Sequence, residues 1–302
     1  MRHTFHTLDV FTDTPFTGNP LAVVRDCEGL SEQRMQAIAR EFNLSETVFV
    51  LEPLDPLNSA RLRIFTPTRE LPFAGHPTIG AAVLIAQLRA PEMLGGAGLG
   101  LAIEEQVGLI ACTVRRQKGR AAQASFVLPR LPERLGEAPD VESIAAALGL
   151  EVADIGFDAH QPSLWSAGNA FTFVPVASLE AMGRAAPNPA LFSTTFACSG
   201  SLAYLYTQEV VREGSHVHAR MFGPGMVITE DPATGSAAAA FAGVATQFER
   251  PEDGDHLLII EQGFEMGRPS IIHLRLQIEG GVLVDASVGG AAVIVSQGTI
   301  EA

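Results

Sequence analysis

Three short segments of this 302-residue chain occur twice, in the same order, and that internal repeat limits the fold more than any other feature. "GNPLAVV" (residues 18–24) returns as "GNAFTFV" (168–174), each time a Gly-Asn turn opening into an apolar strand. "RIFTP" (63–67) returns as "RMFGP" (220–224), and "HPTIGAA" (76–82) returns as "DPATGSA" (231–237). The last pair places His76 and Asp231 at matching helix entrances, each ahead of a run of small apolar residues. The expected fold is α+β, with two pseudosymmetric domains, each a curved, mostly antiparallel sheet wrapped around one central helix. Residues 1–120 form the first repeat, with the C-terminal strand 290–302 a candidate to complete it, and 121–289 the second.

Periodicity fills in the first repeat. Strands are expected near Phe5 to Phe11, Leu21 to Arg25, Thr47 to Leu51 and Ala60 to Thr66. A helix is expected from an N-cap at Ser31 through Met35, Ile38, Ala39 and Phe42 to Asn43. The helix after His76 carries Ala81, Ala82, Leu84, Ile85 and Leu88, apolar nearly all round, so it belongs in a core. The polar stretch "RRQKGRAAQ" (115–123) marks the boundary between repeats. "LPRLPERLGEAP" (128–139) reads as a Pro-rich surface loop leading to a helix capped by Asp140 and ended by Gly149. Strand-like runs at Leu257 to Glu261, Ser270 to Ile278 and Ala291 to Ser296 finish the chain.

Composition narrows the partners. A net charge of −14 with no block of Lys or Arg disfavours nucleic acid and anionic membrane, and leaves a small molecule as the expected ligand. "MRHTFHTLDVF" lacks the apolar core of a signal peptide and no apolar run is long enough to span a bilayer, so a cytoplasmic protein is expected. The three cysteines, Cys27, Cys112 and Cys198, are far apart and lack Cys-x-x-Cys spacing, which argues against disulfides and a zinc site. His216 and His218 could share one strand face as metal ligands, but no third ligand is evident; the expected metal is none. "GGAGLG" (95–100) misses the dinucleotide fingerprint, and neither a Walker loop nor a Gly-x-Ser-x-Gly elbow occurs.

A helix N-terminus offers unpaired N–H groups and the positive end of a dipole, so two of them converging on one cleft would receive a carboxylate. Gly75, Gly80 and Gly235 would let backbone approach such a ligand, and Ser236 would add a hydroxyl donor. Asp231-Pro232 also fits an ordinary N-cap with proline at the first helical position, whereas histidine is a poorer cap. In "FNLSETVFV", strand alternation puts Glu46 on the face of Leu44, Val48 and Val50. There its pKa would rise toward that of a general acid or base, unless a bulge swings it to solvent. The aligned position in the second repeat is Ser201, so one acid serves.

At these residues the chain resembles the phenazine-biosynthesis isomerase family, the PhzF-like proteins, which share the diaminopimelate epimerase fold. The resemblance rests on "DVFTDTPFTGNPLAVV", "FNLSETVFV", "RIFTPTRELPFAGHPTIGAA" and "RMFGPGMVITEDPATGSAAAA" and spans nearly the whole chain. It implies an active site between two domains, no cofactor, and a homodimer. By position it places the catalytic glutamate at Glu46, the histidine at His76, the aspartate at Asp231 and a serine at Ser236; the expected substrate-binding positions are Asn19, Gly75, Gly235 and Ser236. The two cysteines of the epimerase relatives fall on Ala74 and Pro232, which argues against a two-cysteine racemase. The leading expectation is a cofactor-independent isomerase in which Glu46 moves a proton on a small cyclic or unsaturated carboxylate. An epimerase using Glu46 and His76 as opposed bases, and a binding protein of the same fold that lacks the reaction, remain open.

Overall fold

A nine-residue strand, β1 (Arg2–Val10), opens the fold. The structure is a computed structural model that describes residues 2–224 and 229–302. Residues 225–228, part of the quoted "RMFGPGMVITEDPATGSAAAA", lie outside the described residues. The chain separates into two units, Met1–Val127 with Gly289–Ala302, and Leu128–Val288.

In the first unit β1 is followed by β2 (Asn19–Val24), α1 (Glu32–Phe42), β3 (Glu46–Leu51), β4 (Ala60–Phe65) and β5 (Glu70–Leu71). Then come α2 (Gly75–Arg89), β6 (Leu99–Glu105), β7 (Gly108–Arg116) and β8 (Ala122–Val127). Strand β1 is antiparallel to β2, β2 parallel to β3, and β3 antiparallel to β4. β4 runs antiparallel to β5 and parallel to β6, and β6, β7 and β8 follow as an antiparallel meander. α1 forms where expected: Ser31 accepts from the Arg34 N–H at 3.3 Å, and Asn43 ends the helix at φ 51°. Its Met35, Ile38 and Ala39 pack with Phe49, Leu51 and Phe65 on one face of the sheet.

α2 lies against β1, β2, β3, β7 and β8. Every residue from Gly75 to Ala86 is buried, which is why no polar stripe interrupts its sequence. Ile79, Val83 and Leu84 are fully buried, each contributing roughly 1.5–3 kcal/mol. Gly80, read from sequence as room for a ligand, has a different task. A Cβ there would lie 2.5 Å from Leu21 Cδ2 and 2.8 Å from Val10 Cγ2, so glycine lets the helix settle onto β1 and β2.

The second unit repeats this order of pairings. It contains β9 (Glu133–Gly136), α3 (Val141–Leu148), β10 (Ser163–Ser166), β11 (Ala170–Pro175), α4 (Leu179–Arg184) and α5 (Phe192–Thr195). After these come β12 (Ala203–Thr207), β13 (Val217–Phe222), β14 (Glu230–Asp231), α6 (Gly235–Glu249), β15 (Gly254–Gln262), β16 (Ser270–Glu279) and β17 (Val282–Glu301). β10 is antiparallel to β11, β11 parallel to β12, β12 antiparallel to β13, and β13 antiparallel to β14 and parallel to β15. α6 packs on β9, β10, β11 and β16, while α3, α4 and α5 bury Ile144, Met182 and Phe192 in a separate cluster with Leu205 and Phe222. The last stretch of β17 belongs to the first unit, where it pairs antiparallel with β1 from Val10↔Ala292 to Arg2↔Glu301.

Two local readings change. Residues 115–123 are the end of the β7–β8 hairpin, with the turn at 117–121 between paired Arg116 and Ala122, and the first unit runs on through β8 to Val127. A polar tip with Gly119 at φ 77° looks the same in sequence whether it closes a hairpin or links domains. The Pro-rich segment also holds a strand, since exposed β9 pairs with β10. The Asp140 cap and Gly149 terminus of α3 stand as read, with Asp140 accepting from Ser143 N at 2.8 Å. Among the described residues no helix is long and apolar enough to cross a membrane.

Candidate active site

Alternation along β3 sends Phe49 and Leu51 toward α1, which leaves Glu46, Val48 and Val50 on the α2 side. Glu46 is the first residue of that strand, with 17% of its side chain exposed. His76 is the second residue of α2 and almost completely buried, and its Nε2 lies 3.3 Å from Glu46 Oε2. On the other side of the ring Asn19 Nδ2 is 3.4 Å from His76 Nδ1. Asn19 opens β2 directly after Gly18, whose φ of 68° and approach to Val10 O leave no space for a side chain.

These contacts set the imidazole's state. An amide nitrogen can only donate, so His76 Nδ1 accepts and its proton sits on Nε2, toward Glu46. Burial pushes the His76 pKa down to about 3, so the ring is neutral at physiological pH. The Nε2–Oε2 contact falls short of an aligned hydrogen bond. A neutral N–H donor and a carboxylate thus stand side by side, a pairing suited to taking a proton from carbon while a donor steadies the resulting charge.

In the second unit Asp231 ends β14 and is buried. Its Oδ2 accepts from Thr234 Oγ1 at 2.6 Å, and its main-chain oxygen accepts from Gln262 Nε2 at 2.7 Å. Gln262 also donates to Thr234 Oγ1 at 2.9 Å and accepts from Thr234 N at 3.2 Å. Gly235 and half-buried Ser236 then start α6. Thr234 and Gln262 were not singled out in the sequence. The only signal was a threonine inside "EDPATGS", and Gln262 lies 28 residues further along.

The structure corrects the alignment of the two helix entrances. Phe65 pairs with Glu70 as Phe222 pairs with Glu230. Arg63 donates to Glu70 at 2.7 and 2.6 Å as Arg220 donates to Glu230 at 2.8 and 2.9 Å. The helices begin at Gly75 and Gly235. Leu71 is therefore the counterpart of Asp231, and Ser236 the counterpart of His76. The sequence offers Pro-x-x-Gly twice in the first repeat, at Pro72–Gly75 and Pro77–Gly80, and the second copy gave the displaced match. Nor are His76 and Asp231 caps: the N-cap residues are Ala74 and Thr234, neither with a side-chain cap bond. By the same token the position matching Ala74 is Thr234, not Pro232. The strand registers also move the counterpart of Glu46 from Ser201 to Leu202, since Thr47 pairs with Phe65 and Ala203 with Phe222. The second unit has no acid there.

His216 and His218, set aside as metal ligands for want of a third, take different partners. His216 Nδ1 accepts from Ile259 N, while His218 meets Glu261 at 2.8 Å through Nδ1 and Glu265 at 2.9 Å through Nε2. Both ring nitrogens of His218 are occupied.

Residues 8–298 match the family model described as phenazine biosynthesis-like protein, PhzC-PhzF. An uncharacterized isomerase of Mesorhizobium japonicum is 50% identical, covering 97% of this chain and 96% of its own. A trans-2,3-dihydro-3-hydroxyanthranilate isomerase of Pseudomonas chlororaphis is 34% identical, covering 99% of each chain. The crystal structure of a Bacillus anthracis phenazine biosynthesis protein of the PhzF family superposes with a TM-score of 0.88 at 28% identity, covering all of both chains.

Proposed function

We propose, from the premise that this chain belongs to the phenazine biosynthesis-like (PhzC-PhzF) family and is an isomerase, that Glu46 shifts a proton between two carbons of a small unsaturated cyclic carboxylate. The observation that carries the reading is the Glu46–His76–Asn19 cluster. In the reaction the Glu46 carboxylate takes a proton from a carbon made acidic by the neighbouring double bond or carboxyl. The electron pair delocalises over the unsaturated system, and the protonated Glu46, whose proton exchanges with solvent when the site opens, delivers a proton to the far carbon, so one hydrogen changes place and no group is gained or lost. His76 stays neutral throughout, donating from Nε2 to the substrate as charge builds, while Asn19 holds the ring's orientation. A two-base epimerase is disfavoured, because an imidazole with a pKa near 3 is a poor proton carrier at neutral pH.

The proposal assigns Asp231 and Ser236 to the substrate's polar groups, and the N–H groups near Gly75 and Gly235 to its carboxylate. That residues of both units take part is likewise carried over from the family resemblance as part of this reading. So is a cofactor-independent homodimer acting in the cytoplasm, supported by the family resemblance. The test is turnover of trans-2,3-dihydro-3-hydroxyanthranilate and related cyclic amino acids in deuterated water by the native chain and Glu46→Gln. Deuterium is expected at the receiving carbon, and Glu46→Gln should bind within about tenfold of native while turnover falls by roughly 10² to 10⁴. Near-native turnover in Glu46→Gln would refute the mechanism.

A further inference from the structure

Glu105 ends β6 inside the first unit and is buried, a place where a carboxylate ordinarily needs a cation. Instead its Oε1 lies 2.7 Å from Thr78 Oγ1, and its Oε2 is buried without a hydrogen-bond partner among the described residues. Thr78 Oγ1 is also 2.8 Å from Ala74 O. A hydroxyl has one proton and a carbonyl can only accept, so the Thr78 proton belongs to Ala74 O. With an ionised Glu105 one of these two short contacts would bring acceptors face to face. With a neutral Glu105 both are satisfied, because the acid donates to Thr78 and Thr78 donates to Ala74.

The other groups around this end of β6 leave that state undisturbed. Cys112 on β7 presents a thiol, itself pushed up to about 12, first by burial and then by Glu105. Arg61 of β4 lies beside Glu104, whose carboxylate turns away to the N–H groups of Leu54 and Asp55 and to Asn58. Burial drives Glu105 itself up to about 8.

Ala74 is the N-cap of α2 and Thr78 lies in its first turn, so this relay brackets His76 from both sides. We propose that Glu105 is a positioning residue: held as a neutral acid, it fixes the first turn of α2 through Thr78 and Ala74 and thereby aims the His76 imidazole at Glu46. The inference rests on the reading that His76 acts on substrate. It also adds a pH response, since ionising Glu105 removes the donor and frees the turn.

Two measurements on the full chain need no substrate. Infrared spectra should show a protonated-carboxyl band at neutral pH that disappears in Glu105→Gln and, in the native chain, as pH rises through about 8. NMR of ring-labelled histidine should show the His76 signal moving over the same pH range in native protein, holding still in Glu105→Gln, and displaced at every pH in Glu105→Leu and Thr78→Val. With trans-2,3-dihydro-3-hydroxyanthranilate as substrate, Glu105→Leu should lower kcat about tenfold or more with KM within about threefold, and Glu105→Gln should restore most of the loss by keeping a donor to Thr78. Absence of the carboxyl band, or a His76 signal indifferent to Glu105→Leu in a folded chain, overturns the inference. Failure of the native chain to turn over this substrate counts against the functional reading, and the two spectra still decide the role of Glu105.

Discussion

His76 in the first unit and His218 in the second are both buried and both lie against glutamate, yet they carry opposite charge states. At His218 burial works against the charge, but the hydrogen bonds its ring donates to Glu261 and Glu265 outweigh it and lift the pKa to about 9. At His76 burial prevails and the pKa falls to about 3. The difference is geometric. His218 is clamped through both nitrogens at 2.8 and 2.9 Å, while His76 meets Glu46 at 3.3 Å and spends its other nitrogen accepting from Asn19. A clamped ion pair holds strands together and has no capacity left for a ligand. A loosely engaged neutral ring keeps its donor available, and that separates a candidate catalytic histidine from a structural one.

The largest expected effect falls on the structural side. His218→Leu leaves Glu261 and Glu265 without their cation and should destabilise the chain by about 3–5 kcal/mol in urea unfolding, with any residual folded enzyme turning over normally. Because the His218 pKa is raised, its contribution should be complete below the ordinary histidine value of 6.5 and vanish as pH rises through about 9. Glu261 and Glu265, whose pKa values are lowered, should lose theirs as pH falls below the usual carboxylate range. A stability loss below about 1 kcal/mol in His218→Leu would dissolve the contrast.

His76 should behave in the opposite sense. The unfolded chain binds a proton at this residue between pH 6.5 and about 3 that the folded chain refuses, so native stability should decline as pH drops across that window. The slope is at most about 1.4 kcal/mol per pH unit for one proton, and His76→Gln should remove it. An NMR titration of His76 with a midpoint near 6.5 would show that the ring can charge and would end the neutral-donor argument. The smallest effect is expected at Ser236, the counterpart of His76 in the second unit. Ser236→Ala should raise KM up to about tenfold, near 1.4 kcal/mol, with kcat little changed; a loss confined to kcat would instead put this hydroxyl in the chemical step.

What the sequence made legible follows from how local each signal is. Alternation in "SETVFV" put Glu46 on the correct face, and capping chemistry placed α1 and α3 to within a residue, because both depend on near neighbours. The Asn19–His76 contact joins residues 57 apart, and the hold of Gln262 on Thr234 joins residues 28 apart, so neither has a local signature. The displaced match of Asp231 with His76 arose because Pro-x-x-Gly recurs within five residues, and only strand register and the Arg63–Glu70 and Arg220–Glu230 pairs decide between the copies. Glu105 was hidden by its neighbour. "EEQ" ahead of a turn reads as a solvated charge pair, yet strand alternation sends Glu104 to solvent and Glu105 into the core.

β17 carries one more consequence, for the order in which the molecule is made. Leu128–Val288 is continuous in sequence and is complete before the last strand segment is synthesised. The first unit has its opening 127 residues early, with β1 paired to β2, but lacks the second neighbour of β1 until Ala292 to Glu301 have been made. During translation β1 therefore waits with an open edge while the whole second unit folds, and the half that carries Glu46 and His76, though begun first, is finished last.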